Sequence, residues 1–340
     1  LGQKAWRELM ALTNLPRVIM TTFVDFSGLL RQGGLVAPGH PKEFLSNVPR
    51  YFRMFASQRY TDDVMSAIRQ EPLFTPELAE RLGLTAITHG EMAGAEEAVM
   101  ALSEEAFIGR LLRSLPLVKQ TARSYEGFLT KLRFDLYKNN LPIVGEQNAD
   151  ALAGFFAAAT GRGNLGPLNK FAPELGALFF AARLNVGRAQ APLYMLHFSN
   201  KRWSPLARLA TRDAIAFTGF GASILAALKL SGAADVELNP LSTDWGKIKV
   251  GPTRIDLWAG MQPMARFIAR LAMGKMKTST GDIVDIERDE AAWAFIRSKL
   301  APLPGEVADI QRGEPMIGES MEFNEATLKR EAYENLIPLH

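Results

Sequence analysis

Three glycines near the middle of the chain are spaced as in a loop that could bind a nucleotide phosphate. Gly161, Gly163 and Gly166 form a G-x-G-x-x-G pattern, and Lys170 follows. In a dinucleotide-binding fold this pattern follows a hydrophobic strand, and an acidic residue about 20 positions later binds the ribose. Here the preceding stretch is rich in alanine and phenylalanine with helical periodicity, and no acidic residue follows at that distance. We therefore predict a turn in which Gly161 ends a helix, with Arg162 as a candidate contact for a phosphate or a neighbouring chain.

Other residue types with catalytic or metal-binding chemistry lack the spacing that such chemistry needs. The histidines form neither H-x-x-x-H nor H-E-x-x-H, the helical spacings at which two imidazoles bind one metal ion. They are His40, His89, His197 and His340. No G-x-S-x-G motif occurs, and the absence of cysteine excludes disulfides, thiolate metal sites and a cysteine nucleophile. We expect the histidines to lie on the surface or in loops, and we expect no enzyme active site, no cofactor and no metal site.

Positive charge is concentrated where acidic residues are missing. Residues 175–212 contain no Asp or Glu, while residues 282–340 contain 13 acidic and 6 basic residues, so residues 1–281 carry a net charge of about +10. Such a basic stripe suits a nucleic acid, an anionic lipid or the acidic face of a neighbouring subunit. Pairing with the chain's own acidic C-terminal part is the alternative. The candidate contact residues are Arg162, Arg183, Arg188, Lys201, Arg202, Arg208 and Arg212.

The most apolar run of the chain, Ala214–Leu228, is uncharged and lies between Asp213 and Lys229. It is short for a membrane-spanning helix, which needs about 20 apolar residues. Small residues recur along it and would allow close helix packing in a protein core or in lipid. They are Ala214, Thr218, Gly219, Ala222, Ser223 and Ala226. We favour a buried core helix, and a membrane helix with flanking cations that reach the interface remains the alternative.

Aromatic and basic residues alternate in a second stretch, Arg50–Tyr60. Aromatic side chains beside arginines can stack on nucleic-acid bases. At helical spacing, however, Tyr51, Met54 and Phe55 are more typical of a core face with the arginines outside. We favour the core interpretation.

The pattern of elements predicts a mainly α multi-helix fold with one small β-hairpin or sheet insertion around 246–286. Thr75, Pro76 and Gly83 are typical of an N-cap, a first helical position and a helix stop, and a helix in 41–70 is expected to be interrupted near Pro49. A long amphipathic helix is predicted from Val118. Alternation on both sides of a Gly-Pro turn at 251–252 predicts a hairpin, and a second short strand pair is expected around 280–281.

Composition and helix pattern divide the chain into three expected units. These are an N-terminal helical unit (1–145), a central basic unit rich in small residues (146–237), and a unit with the β-hairpin and an acidic helical tail (238–340). The chain begins with Leu1 and ends on an apolar run. We therefore expect a segment of a longer polypeptide, and artificial trimming is the alternative.

Five segments in a fixed order carry a resemblance to a known family. They are "LPRVIMTTFVDFSGLLRQG" (15–33), "ARSYEGFLTKLRFDLY" (122–137), "ATGRGNLG" (159–166), "DWGKIKVGPTRIDLWAGMQP" (244–263) and "IRSKLAP" (296–302). This series resembles a helical domain towards the C-terminal end of large polyvalent phage proteins. Those are very long chains, often packaged in the virion and delivered with the DNA.

The resemblance implies a non-enzymatic structural or interaction domain of an internal virion protein that is ejected with the genome. The implied partners are other ejection proteins, the portal or tail, further copies of the chain, and the host envelope membrane. The implied location is the virion interior, then the host envelope or cytoplasm. The alternatives are a DNA-binding domain of a packaged phage protein and an accessory domain of a giant phage enzyme such as a virion RNA polymerase. The resemblance assigns no catalytic residue.

Overall fold

A computed structural model describes residues 28–88, 116–179, 181–199, 202–251, 253–278, 280–300, 304–305 and 308. Across these residues the fold is mainly α with small antiparallel strand pairs, which confirms the predicted fold class. Residues 1–27, residues 89–115 and most of the acidic tail lie outside the described residues.

Helices form most of the described chain. They are α1 (Pro41–Ala56), α2 (Gln58–Arg69), α3 (Pro76–Leu82), α4 (Thr85–Thr88), α5 (Pro116–Val144), α6 (Ala149–Ala159), α7 (Ala172–Leu178), α8 (Ala182–Leu193), α9 (Pro205–Leu230), α10 (Gln262–Met273) and α11 (Arg288–Arg297). A π turn (Gly28–Gln32) and the 3-10 turns Gly33–Leu35, Glu146–Asn148, Gly166–Phe171 and Tyr194–Leu196 connect them.

Three small antiparallel sheets accompany the helices. Strands β1 (Phe198–Ser199) and β2 (Arg202–Trp203) form one pair; β3 (Asp235–Val236), β4 (Lys247–Val250) and β5 (Thr253–Asp256) form a three-stranded sheet; β6 (Lys275–Lys277) and β7 (Ile283–Asp285) form another pair. The predicted hairpin is confirmed, because Lys247 pairs with Asp256 and Val250 with Thr253 around Gly251. The expected second pair is confirmed as β6 and β7.

Helix α5 is the centre of the fold. It packs against α1, α2, α6 and the turn at 28–32, and it is buried on every side from Thr121 to Thr130. The prediction of a long helix is confirmed, but the expectation of an amphipathic one is wrong for this stretch because neighbours cover the whole circumference. One hydrophobic core runs from Leu29 to Ala210, so the expected boundary near residue 145 lies within this core.

The ends of the first helices follow local sequence signals, with one exception. The Thr75 hydroxyl accepts a hydrogen bond from the Leu78 N–H (3.1 Å), and Gly83 ends α3 in a left-handed conformation (φ +64°), both as predicted. The interruption expected at Pro49 is wrong. Helix α1 continues through Pro49, which is exposed, and the break comes at Ser57, which caps α2 through Tyr60 N–H.

The core interpretation of Arg50–Tyr60 is confirmed for Tyr51 and Met54, whereas Phe55 is half-buried. Tyr51 and Met54 are buried on the inner face of α1. The Tyr51 ring meets the Phe128 ring of α5 edge to face at 6.0 Å, a favoured aromatic geometry. These side chains are therefore part of the core.

Buried arginines satisfy carbonyls at the ends of helices, which have no partner within their own helix. Arg123 of α5 donates to the Met54 and Phe55 carbonyls (2.6 and 2.5 Å) at the end of α1. Arg133 lies about three turns further along α5. It donates to the Gly83 carbonyl (2.7 Å) and the Thr160 carbonyl (3.0 Å). Burial is the main cause, and the positive charge of the nearby Arg162 the second cause, that lowers the pKa of Arg133 to about 10. Arg133 therefore remains charged at neutral pH. These arginines lock α1, α3 and α6 onto α5.

The glycine motif is a helix-terminating turn, as predicted. Gly161 adopts φ +85°, its N–H bonds the Ala158 carbonyl (3.0 Å), and the Arg162 N–H bonds the Ala157 carbonyl (2.7 Å), which is the Schellman arrangement. Gly163 serves a different purpose, because a Cβ there would lie 2.3 Å from the Gly187 backbone nitrogen. The motif therefore joins α6 to α8 by close backbone packing.

This packing predicts different costs for two glycines of one motif. We expect Gly163→Ala to lower the free energy of unfolding by about 3 kcal/mol, because its Cβ would overlap backbone atoms that cannot rotate away. Gly166→Ala is the matched control. Its Cβ would point into open space, so the substitution should cost only the strain of alanine in a left-handed conformation (φ +56°), about 1 kcal/mol. Urea unfolding measures both, and equal costs would contradict this account.

Candidate interaction surface

Helix α9 is anchored at its N-terminal end. The Ser204 hydroxyl caps it by accepting from the Ala207 N–H (3.0 Å), and Pro205 occupies the first helical position. Leu206 and Ala207 are fully buried and belong to the interior that faces α5, α6 and α8. The first two turns of α9 are therefore a core element.

The C-terminal part of α9 differs from the predicted buried core helix. Five of the six small residues, Thr218, Gly219, Ala222, Ser223 and Ala226, are exposed, and Ala214 is half-buried. Ile215 (67% exposed) and Phe220 (59% exposed) share this open surface. Only Phe217, Gly221 and Leu225 are buried, along one stripe that faces Trp258 and the three-stranded sheet. The core interpretation is therefore wrong for most of Ala214–Leu228, because neighbours cover a single stripe.

The length and composition of α9 are sufficient to cross a membrane. Among the described residues it is the one helix with this property, and 22% of its most apolar window is buried. A helix in the core of a soluble protein passes the same compositional test when it is mostly buried. Most of this window is exposed instead, so α9 presents an uncharged helical surface to its surroundings.

A hairpin next to the start of α9 adds exposed aromatic rings. Phe198 of β1 pairs with Trp203 of β2 across the strands, and the two are 63% and 46% exposed. The Trp203 indole N–H donates to the Met195 carbonyl (2.7 Å), so its polar group is satisfied while its ring is available. Leu193 and Leu196 beside the hairpin are also exposed. Sequence reasoning did not single out this hairpin, although the sequence FSNKRW has aromatic residues at both ends and polar residues between them.

The predicted basic stripe is divided by the fold. Arg188 is 3% exposed and donates to the carbonyls of Ala159 (3.3 Å) and Arg31, so it is not available to a partner. Burial is the main cause, and the positive charge of the nearby Arg31 the second cause, that lowers the pKa of Arg188 to about 10. Arg183 donates to Asn169 Oδ1 (2.5 Å) across the glycine turn, and Arg162 lies 3.5 Å from the buried Glu126 carboxylate. These three cations contact their own chain.

The remaining cations lie near the first turns of α9. Arg202, Arg208 and Arg212 are exposed, and the Arg212 guanidinium lies 2.7 Å from the neighbouring Asp213 carboxylate. Lys229 stands exposed at the far end of the helix. Lys201 lies outside the described residues, and so does most of the acidic C-terminal part with which the stripe was alternatively expected to pair.

A buried polar cluster that the sequence did not reveal holds α9 to the start of α1. The His40 Nε2–H donates to Asp213 Oδ2 (2.8 Å), and both residues are 5% exposed. Gly39 allows this approach, since a Cβ there would lie 2.6 Å from Asp213 Oδ1. His40 was expected on the surface or in a loop; it lies in the loop before α1, and it is buried there. The one sequence feature that could have indicated this cluster is Asp213, because it is the acidic residue that ends the acid-free stretch and directly precedes the apolar run.

The described residues contain no group of three His, Cys, Asp or Glu side chains that could hold a metal ion. Comparisons with protein-family models, with curated proteins and with solved structures find no match for this chain. The resemblance to large polyvalent phage proteins stays a prediction.

Proposed function

We propose that this chain is a non-enzymatic interaction domain of a virion-packaged phage protein, and that it binds the anionic membrane of the host envelope through α9. The observation that carries the proposal is the exposure of an uncharged helical surface along Ala214–Leu228, including Ile215 and Phe220. Water-exposed apolar surface of this extent marks a protein or membrane contact. A bilayer would cover it without requiring a matching partner surface.

Charge complementarity favours a lipid surface as the occupant. Arg202 and Arg208 stand at one end of the uncharged surface and Lys229 at the other. Cations that flank an apolar helix can reach the phosphate level of a bilayer while the apolar residues enter the acyl region. Trp203 and Phe198 beside the same end suit the boundary between headgroups and acyl chains. The helix and the hairpin thus supply an apolar part, two cationic ends and interfacial aromatics.

The alternative of a DNA-binding domain has less support. Duplex binding depends on several cations that reach phosphates at once. Arg162, Arg183 and Arg188 contact their own chain, and so does the exposed Arg212 through Asp213. Arg202 and Arg208 are the other exposed members of the predicted stripe among the described residues. Docking onto another virion protein is a second use of the same apolar surface, and a wild type that stays in the aqueous fraction in the test below would favour it.

The test is flotation of the 340-residue chain with vesicles of mixed phosphatidylcholine and phosphatidylglycerol. We expect the wild type to float with the vesicles, and Phe220→Glu to reduce the partition coefficient by at least about tenfold, because a carboxylate would have to leave water within the acyl region. Phe220 is 59% exposed, so the substitution leaves the fold intact, which circular dichroism checks.

Leu45→Glu is the matched control, because Leu45 is equally exposed (64%) on α1, away from α9. It should leave partitioning unchanged. A wild type that stays in the aqueous fraction would overturn membrane binding. Vesicle binding that survives Phe220→Glu but is abolished by high salt would assign the interaction to the cations alone, and binding of a DNA duplex would then become the better proposal. Peptides of this chain in purified virions, found by mass spectrometry, would support packaging.

A further inference from the structure

An apolar cavity of about 310 Å³ lies between the helical core and residues 245–265. Its walls come from α6, α8 and α9 on one side, and on the other from Trp245 before β4, the segment that precedes α10 and the first turn of α10. Four aromatic and two methionine side chains form much of its lining: Phe155, Met195, Phe217, Trp245, Trp258 and Met261. Small-molecule sites in proteins are of this kind, with volumes of about 300–1,000 Å³ and predominantly apolar and aromatic walls.

The aromatic wall of the cavity is fixed in place. The Trp258 indole N–H donates to the Gly246 carbonyl (2.9 Å), and its ring meets the Phe217 ring at 6.0 Å and 78°. The indole also fills space that side chains would otherwise take, because a Cβ on Gly221 or on Gly246 would lie 2.8 or 2.4 Å from it. A wall held by a hydrogen bond and two glycines is preorganised, which lowers the cost of binding.

The polar groups at the cavity do not offer a free charge. Asp213 is the one ionisable side chain among its described lining residues, and its two oxygens accept from His40 (2.8 Å) and Arg212 (2.7 Å). Gln262 directs its amide to the Thr243 and Trp245 carbonyls (3.2 and 3.1 Å). An anionic ligand would be placed beside a carboxylate, and a cationic ligand would meet one that is already compensated.

We propose that this cavity binds one small, uncharged aromatic molecule. Aromatic walls provide faces and edges for a planar ring system, and Met195 and Met261 adjust to its outline through flexible, polarisable side chains. Thr218, which is exposed on α9 and lines the cavity, marks its mouth. Ala214 and Thr218 belong both to the cavity lining and to the small residues of α9. The exposed Ile215 and Phe220 are not part of the lining, so the proposal does not depend on membrane binding.

The test uses the fluorescence of phenylnaphthylamine, a neutral aromatic probe, titrated into the 340-residue chain. We expect saturable binding of one molecule per chain. Naphthalene should displace the probe, and naphthoate should be weaker than naphthalene by at least about tenfold, because its carboxylate would lose water beside Asp213. If naphthoate competes as well as naphthalene, the proposal that the ligand is uncharged is wrong. If the probe shows no saturable binding, the proposal of a binding site is wrong.

Two substitutions on one face of α9 separate the cavity from general adhesion to apolar surface. Thr218→Phe places a ring in the mouth and should weaken probe binding at least about tenfold. Ala222→Phe, one turn further along and outside the lining, should leave it unchanged. Equal effects of the two would overturn the assignment. If circular dichroism shows Thr218→Phe to be unfolded, Ala265→Leu in α10 fills the cavity from the opposite wall and gives the same readout.

Discussion

Arg133→Met is expected to lower the free energy of unfolding by about 3–5 kcal/mol, which is a large part of the stability of a typical domain. Arg133 is 1% exposed and makes three hydrogen bonds, to Thr160 Oγ1 (2.7 Å), the Thr160 carbonyl (3.0 Å) and the Gly83 carbonyl (2.7 Å). Methionine retains the length and apolar stem but donates no hydrogen bond. The substitution therefore leaves the carbonyls that end α3 and α6 buried without these donors.

Urea unfolding followed by circular dichroism measures this cost. Arg59→Met is the matched control, because Arg59 is exposed on α2, and it should change stability by no more than about 0.5 kcal/mol. Arg133→Lys should recover only part of the loss, since a single ammonium cannot reach both helix ends with the fixed fork of a guanidinium. An Arg133→Met protein as stable as the wild type would show that water replaces the guanidinium, contrary to our account.

Local sequence signals predicted the parts of the fold that depend on neighbouring residues alone. Thr75, Gly83 and Gly161 end or begin helices for reasons contained within one turn of backbone. The hairpin of β4 and β5 likewise follows from alternation around a Gly-Pro turn. Pro49 misled the same reasoning: its missing N–H and its ring are accommodated on the exposed side of α1, where the helix continues.

Charged residues inside the core were beyond such signals. Arg133 follows Leu129 and precedes Tyr137 at four-residue spacing, so it occupies a position in the apolar row of α5. Arg188 similarly follows Leu184 in α8. Periodicity predicts that such residues lie on the surface, because the pattern contains no information about the three helix ends that converge on α5 and need hydrogen-bond donors. A charge at an apolar position of a helix was the available clue.

Exposure of α9 could not be read from composition either. Ala214–Leu228 is apolar enough for a core, and only tertiary packing decides how many of its sides are covered. The buried stripe of Phe217, Gly221 and Leu225 exists because Trp258, about 40 positions later in the sequence, packs against it. Of the six small residues, Gly219, Ala222, Ser223 and Ala226 lie away from the packed stripe. Ala214 is half-buried, and it lines the cavity together with Thr218.

The contact between His40 and Asp213 joins residues separated by 173 positions, and it gives the second large expected effect. Asp213→Ala should lower the free energy of unfolding by about 3 kcal/mol, because the buried His40 N–H loses its acceptor and Arg212 loses its paired charge. Asp213→Asn keeps one acceptor oxygen but turns an N–H₂ group towards the other donor, so about half of the loss should remain.

Urea unfolding ranks these variants against Asp63→Ala, which removes an exposed carboxylate of α2 and should be nearly neutral. The expected order of stability is wild type, then Asp213→Asn, then Asp213→Ala. Equal stability of all three would mean that α9 is held by its apolar contacts alone, through Leu206 and Leu209. The predicted order would instead show that the buried cluster of His40, Asp213 and Arg212 fixes the base of α9.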